Sequence, residues 1–275
     1  MILAFSGNGN SFHVAQLLVQ NLKNEKDYLK LQGQNLLEPQ TVLSLSFDDF
    51  TFNPDEIIWV MPVYSWGVPP IMRSFIENIP SSFGKGKTHH LVMTCGDDIG
   101  LAHLQWKTLL QKKQWETAGA WTVIMPNTYT LMKGFNVDPL NLEMEKLKDS
   151  VERCRKISRD IESRSFIIDV KKGNFPWIKT RVIYSWFVRF DMSPRPFHAT
   201  DRCISCGLCE EQCPTLNITM RPENDLSARP QWGNRCALCL RCYHHCPANA
   251  IQYGKATKGK GQYQIAKVLK KLENQ

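Results

Sequence analysis

Eight cysteines near the C-terminal end carry the plainest chemistry in the sequence. Cys203, Cys206, Cys209 and Cys213-Pro214 are followed by Cys236, Cys239, Cys242 and Cys246-Pro247. Each run reads C-x2-C-x2-C-x3-C-P, and each cysteine of the second lies 33 residues after its counterpart in the first. Ile218 and Ile251 keep the same offset, so a whole unit is repeated. Three thiolates spaced in this way let a short loop wrap three corners of an iron–sulfur cube, while the fourth, ahead of proline, reaches the other cube. The expected sets are Cys203, Cys206, Cys209 and Cys246 for one [4Fe–4S] cluster and Cys236, Cys239, Cys242 and Cys213 for the other. Paired C-x2-C elements also build zinc sites, the competing reading, but those usually set two pairs apart by a longer loop.

A second chemical stretch opens the chain. Ile2 to Phe5 reads as a short buried strand that runs into Ser6-Gly7-Asn8-Gly9-Asn10-Ser11 and then a helical pattern marked by Val14, Leu17, Leu18 and Leu22. Strand, glycine-rich polar loop and helix form the local plan of a phosphate site, where unpaired N–H groups and the helix dipole meet the anion. No lysine or arginine sits in the loop. A Walker A ending is absent here, and the Gly86-Lys87-Thr88 candidate lacks the first glycine and precedes a strand. The dinucleotide fingerprint fails at Phe12. What remains is a loop of the flavodoxin kind, with Asn8 in place of the usual threonine.

The elements that must position these residues alternate. Ile57 to Met61, Leu91 to Thr94 and Trp121 to Met125 read as further strands, with Thr41 to Leu45 as an uncertain fifth. Helices are expected at 71–78, around Leu101, Leu104 and Leu109, and over 139–163. Strand–helix alternation indicates a parallel sheet covered on both faces, an α/β doubly wound fold whose ligands sit at the carboxyl ends of the strands. The loops at those ends supply Pro62, Val63, Tyr64, Trp66 and Gly67 after one strand and Thr94, Cys95 and Gly96 after another. From Phe175 to Phe190, ten of sixteen residues are apolar, while Arg181, Ser185 and Arg189 fall on one narrow stripe. The expected role of that helix is a clamp between two domains, with a membrane-surface helix as the minority reading. His89-His90, expected at a strand edge or surface, and His244-His245 read as structural.

The net charge of +8 is unevenly spread. Residues 1–150 carry 12 Lys/Arg against 15 Asp/Glu, residues 151–200 carry 11 against 5, and residues 255–275 carry 6 against 1. The excess lies in a connector and a tail, either as solvated lysines or as a docking surface for an acidic redox partner. No nucleic-acid-binding module accompanies it. No apolar run reaches the eighteen or so residues of a membrane span, and a secretory leader is not expected. The eight metal-spaced cysteines suit a reducing cytoplasm, with Cys95 and Cys154 expected as free thiols.

Taken together, the first 160 or so residues resemble a flavodoxin domain and residues 198–254 resemble a two-cluster bacterial ferredoxin. The order resembles the flavodoxin–ferredoxin fusion family of EFR-type ferredoxins. The motifs that carry this are Phe5 to Ser11, Pro62-Val63-Tyr64-x-Trp66-Gly67-x-Pro69-Pro70, Met125-Pro126-Asn127-x-Tyr129 and Pro230-x-Trp232. The resemblance implies FMN beside two [4Fe–4S] clusters and an electron-transfer role. FMN would be held by Ser6, Asn8, Gly9, Asn10 and Ser11 together with the two later loops. The implied layout is a flavodoxin-like domain over 1–163, a connector over 164–197, a small α+β two-cluster ferredoxin domain over 198–254 and a basic tail over 255–275. The chain departs from the flavodoxin pattern at Cys95 and the acidic pair Asp97-Asp98, whose carboxylates would lower the potential of a flavin beside them, repel it, or lie outside the pocket in solvent. The expected function is electron relay between FMN, the clusters and a partner protein. The alternatives are a flavin-dependent reductase of a small molecule and a redox sensor with a vestigial flavin site.

Overall fold

The structure is a computed structural model and describes residues 1–22, 28–39, 55–223 and 227–274. The expected strand at Thr41 to Leu45 lies outside the described residues. Six strands form one sheet: β1 (Ile2–Ala4), β2 (Tyr28–Lys30), β3 (Glu56–Pro62), β4 (Thr88–Cys95), β5 (Glu116–Ile124) and β6 (Ile168–Asp169), in the order β2-β1-β3-β4-β5-β6. Every neighbouring pair is parallel. The first five follow the 2-1-3-4-5 order of flavodoxin-like sheets. The central strands are unbroken apolar runs because both faces are covered. Leu3, Trp59, Met61, Leu91 and Met93 face one core with Phe75 and Trp106. Their neighbours Ile2, Ala4, Ile58, Val60 and Val92 face the other, against Leu18, Leu147 and Ile157. Helices α1 (Asn10–Asn21), α3 (Pro70–Asn78), α4 (Ala102–Lys112) and α5 (Leu140–Glu162) supply the covers, with a short α2 (Gln34–Leu37) beside them.

His89 and His90 correct an expectation: both are buried rather than at a surface. His89 stacks on Trp115 with ring centroids 4.9 Å apart, accepts the Trp59 indole N–H at 2.9 Å and meets the Gly84 carbonyl at 3.1 Å. Burial holds it neutral, with its pKa lowered to about 4.

After the sheet, helical turns Pro176–Ile178, Lys179–Ile183, Tyr184–Trp186 and Phe187–Asp191 run on without a break, alternating α and π turns; together they are α6. The cysteine region adds the antiparallel pairs β7 (Phe197–Ala199) with β10 (Ile251–Tyr253) and β8 (Ile218–Glu223) with β9 (Ser227–Trp232). It also adds the short helices α7 (Leu208–Glu211) and α8 (Arg241–His244). The basic end of the chain folds back rather than trailing in solvent. It forms α9 (Ile265–Glu273), with Tyr263 and Val268 buried in the second core.

Candidate functional site

The two cysteine runs fold alike. Left-handed backbone recurs at matched positions 33 residues apart: Ser205 with Leu238, Gly207 with Leu240, and Leu216 with Asn249. Such conformations are costly for leucine and are held by their surroundings. They turn backbone N–H groups inward, as an anion-binding nest does. Asn217 donates its N–H to Cys213 Sγ at 3.3 Å, and its counterpart Ala250 donates to Cys246 Sγ at 3.2 Å. Leu238 donates to Cys236 Sγ at 3.3 Å.

The fourth cysteine of each run crosses over. Cys203, Cys206, Cys209 and Cys246 line one cavity, partly open to solvent and otherwise walled by Ile204, Leu208, Met220, Pro230, Pro247 and Ile251. At the other site, Cys213 is close enough to Cys236, Cys239 and Cys242 for their charges to be coupled. Among the described residues, no three His, Cys, Asp or Glu side chains close on one metal ion. The thiols stand around a space, which suits the corners of a cube better than a tetrahedral zinc with four sulfurs about 2.3 Å from one centre. Burial, reinforced by neighbouring thiolates, pushes Cys209 up to about 11 and Cys239 up to about 12. Thiols raised in this way ionise where a positive metal centre offsets the charge, and all-cysteine donor sets fit iron–sulfur cubes. The first site is the outer one, with Cys206 exposed.

The second site rests on the strand ends of the sheet. Asn8 donates from Nδ2 to the Cys239 carbonyl at 2.9 Å, and a Cβ on Gly7 would come within 2.9 Å of Cys239 Cβ. Ala237 is buried in the first core of the sheet domain. Tyr64 packs in the cluster that holds Cys236 and Cys242. Its hydroxyl is shut off from solvent without a hydrogen-bond partner among the described residues, and burial and the charges of Cys239 and Cys236 raise its pKa. His244 bonds the Thr128 carbonyl at 2.8 Å through Nε2 and accepts the Tyr263 N–H at 3.1 Å through Nδ1, so it joins three segments.

The other residues expected around a flavin lie nearby, and the chain itself covers several of them. Gly9 donates its N–H to Ser6 Oγ at 3.0 Å, and Ser11 Oγ pairs with Thr94 Oγ1 at 2.8 Å. Asn10 bonds the Pro126 carbonyl and accepts the Tyr263 hydroxyl at 2.7 Å. Ile265 stands over Gly9, where an added Cβ would meet its Cγ2 at 2.8 Å. The first-turn N–H end of α1 has the neutral donors a phosphate needs. Tyr263 and Ile265 stand against this loop at Asn10 and Gly9. Pro62 pairs with Thr94 across the sheet, and Val63 donates to the Thr94 carbonyl. Trp66 and Gly67 face α6: Thr180 Oγ1 bonds the Trp66 carbonyl at 2.8 Å, and Tyr184 fills the space beside Gly67. Asn127 packs on Gly96. Cys95 is buried, its thiol pushed up to about 12 mainly by burial, with Asp98 adding to the rise. Asp97 and Asp98 pair with Lys171 at 2.9 Å and Lys179 at 2.5 Å, so both carboxylates are tied to the connector.

Sequence reasoning missed the left-handed leucines and the closing segment. The offset between Gly207 and Leu240 was a weak signal for the former, and Tyr263 with Val268 for the latter.

Residues 202–251 match the family described as the 4Fe-4S dicluster domain. No curated protein matches the chain. Among solved structures, it is similar to the Trp repressor binding protein from Bacillus subtilis, at 14% identity over 55% of this chain and 96% of that one, with a TM-score of 0.36. It is also similar to the azoreductase AzrA, at 10% identity over 57% of this chain and 98% of that one, with a TM-score of 0.34. A third is an FMN-dependent NADH-azoreductase from Bacillus anthracis str. Ames Ancestor in complex with FMN, at 10% identity, 57% and 98% coverage and a TM-score of 0.33. The strand order, independently of these likenesses, makes the N-terminal part flavodoxin-like. The chain therefore joins a flavodoxin-like sheet to a segment whose cofactors are two [4Fe–4S] clusters.

Proposed function

We propose that the chain relays electrons between FMN at the strand ends, the two clusters and a partner protein that docks at the outer cluster. Cys213, Cys236, Cys239 and Cys242 hold the inner cluster; Cys203, Cys206, Cys209 and Cys246 hold the outer one. The observation that carries the reading is the packing of the inner cysteine loop on Gly7 and Asn8. A group held at the strand ends is then next to the inner cluster, and the outer cluster lies toward solvent at Cys206. Each cluster passes one electron at a time, while FMN when bound exchanges electrons singly or in pairs. The protein's part is to orient the loops, exclude water from the inner site and set the potentials through N–H···S bonds and burial.

Closure of the phosphate loop by Tyr263 and Ile265 favours a second reading, a two-cluster carrier or redox sensor with no flavin. Anaerobic purification with iron, acid-labile sulfide and flavin quantified together separates the two. About eight iron and one FMN per chain support the relay. Eight iron with no flavin, even after added FMN, leaves the carrier.

A further inference from the structure

The connector helix α6 carries an apolar surface that no other described residue covers. It buries only Thr180, Tyr184 and Phe187, against the loops at Trp66–Val68 and Gly100–Leu101 and the core beside the cysteines. Ile178, Val182, Trp186 and Phe190, four residues apart, are 47–60% exposed, with Phe175, Trp177 and Ile183 exposed beside them. Arg181, Ser185 and Arg189 recur at the same interval one position earlier than Val182, Trp186 and Phe190, and all three are exposed. Between Val170 and Phe190 there are five lysines and arginines and no acidic residue. Lys171 and Lys179 are paired with Asp97 and Asp98. Among the described residues, no carboxylate pairs with Lys172, Arg181 or Arg189.

We propose that α6 is a docking helix for an anionic membrane surface, lying in the plane of the headgroups. Large apolar and aromatic side chains beside arginines, with a single acidic group, Asp191, at the last position of the helix, are the composition of an interfacial helix. Tryptophan suits the headgroup level, and arginine stems lie along apolar surface while their charges stay with the phosphates. A purely electrostatic site for an acidic protein would not call for so many exposed large apolar side chains, Val188 among them, along one helical run. From Ile178 to Phe190 the apolar stripe spans about 18 Å, enough to lie along a leaflet and too short to cross one. No helix among the described residues is long and apolar enough to cross a membrane. The buried stripe ties α6 both to the sheet loops and to the cluster region, so binding through the exposed stripe would hold both redox sites at the surface.

Flotation of the full, cluster-loaded chain with phosphatidylcholine vesicles tests this, with and without a phosphatidylglycerol fraction. The expected result is flotation with the anionic vesicles only, weakened by salt and accompanied by hydrogen-exchange protection confined to α6. Arg181→Gln with Arg189→Gln should weaken binding about twentyfold. Trp186→Ser with Phe190→Ser should abolish it while the cluster absorbance stays intact. No flotation on anionic vesicles overturns the proposal. So does a concentration-dependent dimer that the Trp186→Ser, Phe190→Ser variant converts to monomer, because α6 would then face a second copy.

Discussion

At the scale of single residues, the inner cluster's surroundings come partly from the sheet domain. Tyr64 brings a buried hydroxyl with no hydrogen-bond partner among the described residues to the side of Cys236 and Cys239. A donor aimed at cluster sulfur stabilises the more negative, reduced state. Tyr64→Phe should therefore lower the potential of one cluster by about 50 mV and leave the other unmoved, as read by a redox titration followed by electron paramagnetic resonance. Equal shifts in both clusters, or none, would mean that the hydroxyl makes no such bond. His89 supports a different prediction. Its folded pKa is depressed to about 4 from 6.5, so below neutrality the unfolded chain binds a proton that the folded chain refuses. Stability then falls as the pH drops from about 6.5 towards 4, by roughly 3 kcal/mol at the lower end, and is unaffected by His89 above that window. His89→Gln should flatten this dependence in urea midpoints measured at pH 7 and pH 5. The cysteines were legible because ligand spacing is itself chemistry. The aromatic cage of His89 was not, since Trp59 and Trp115 meet it only through the sheet and the turn after α4.

At the scale of elements, apolar periodicity located β1, β3, β4 and β5, the helices on both faces, and α6. The strands β2 and β6, three and two residues long, carry too little pattern to be read. The end of the chain was read as a tail because six lysines and arginines among 21 residues outweigh the signal of Tyr263, Ile265 and Val268. Those three residues pack into the second core. For α6, the pattern suggested a clamp between two domains, and the stripe of Thr180, Tyr184 and Phe187 is the part that is covered. The closing segment also has a testable consequence. Tyr263→Phe with Ile265→Ala removes the hydroxyl on Asn10 and the cover on Gly9. If the loop is a flavin site, FMN should then bind at least about tenfold tighter, in line with the removal of a competing contact worth about 1.4 kcal/mol. Unchanged FMN affinity in the variant would assign the segment to packing alone.

At the scale of the whole molecule, the repeat and the sheet are interlocked. Pro214 accepts the Gly33 N–H at 2.6 Å, Cys239 accepts from Asn8, and Lys260 bonds the Thr130 carbonyl at 2.6 Å. Crossing of the fourth cysteine makes each cluster depend on both repeats. Cys246→Ala should thus strip iron from the site of Cys203, Cys206 and Cys209, taking the total from about eight iron per chain to about four. Retention of all eight would mean that the runs do not exchange ligands. The order strand ends, inner cluster, outer cluster, solvent is the central claim, and anomalous scattering at the iron edge from crystals of the anaerobically purified chain tests it most directly. The account predicts two separate iron peaks, one enclosed by Cys213, Cys236, Cys239 and Cys242 against Gly7 and Asn8, the other by Cys203, Cys206, Cys209 and Cys246 nearer the surface. A single peak, or peaks that follow the zinc edge, would contradict it.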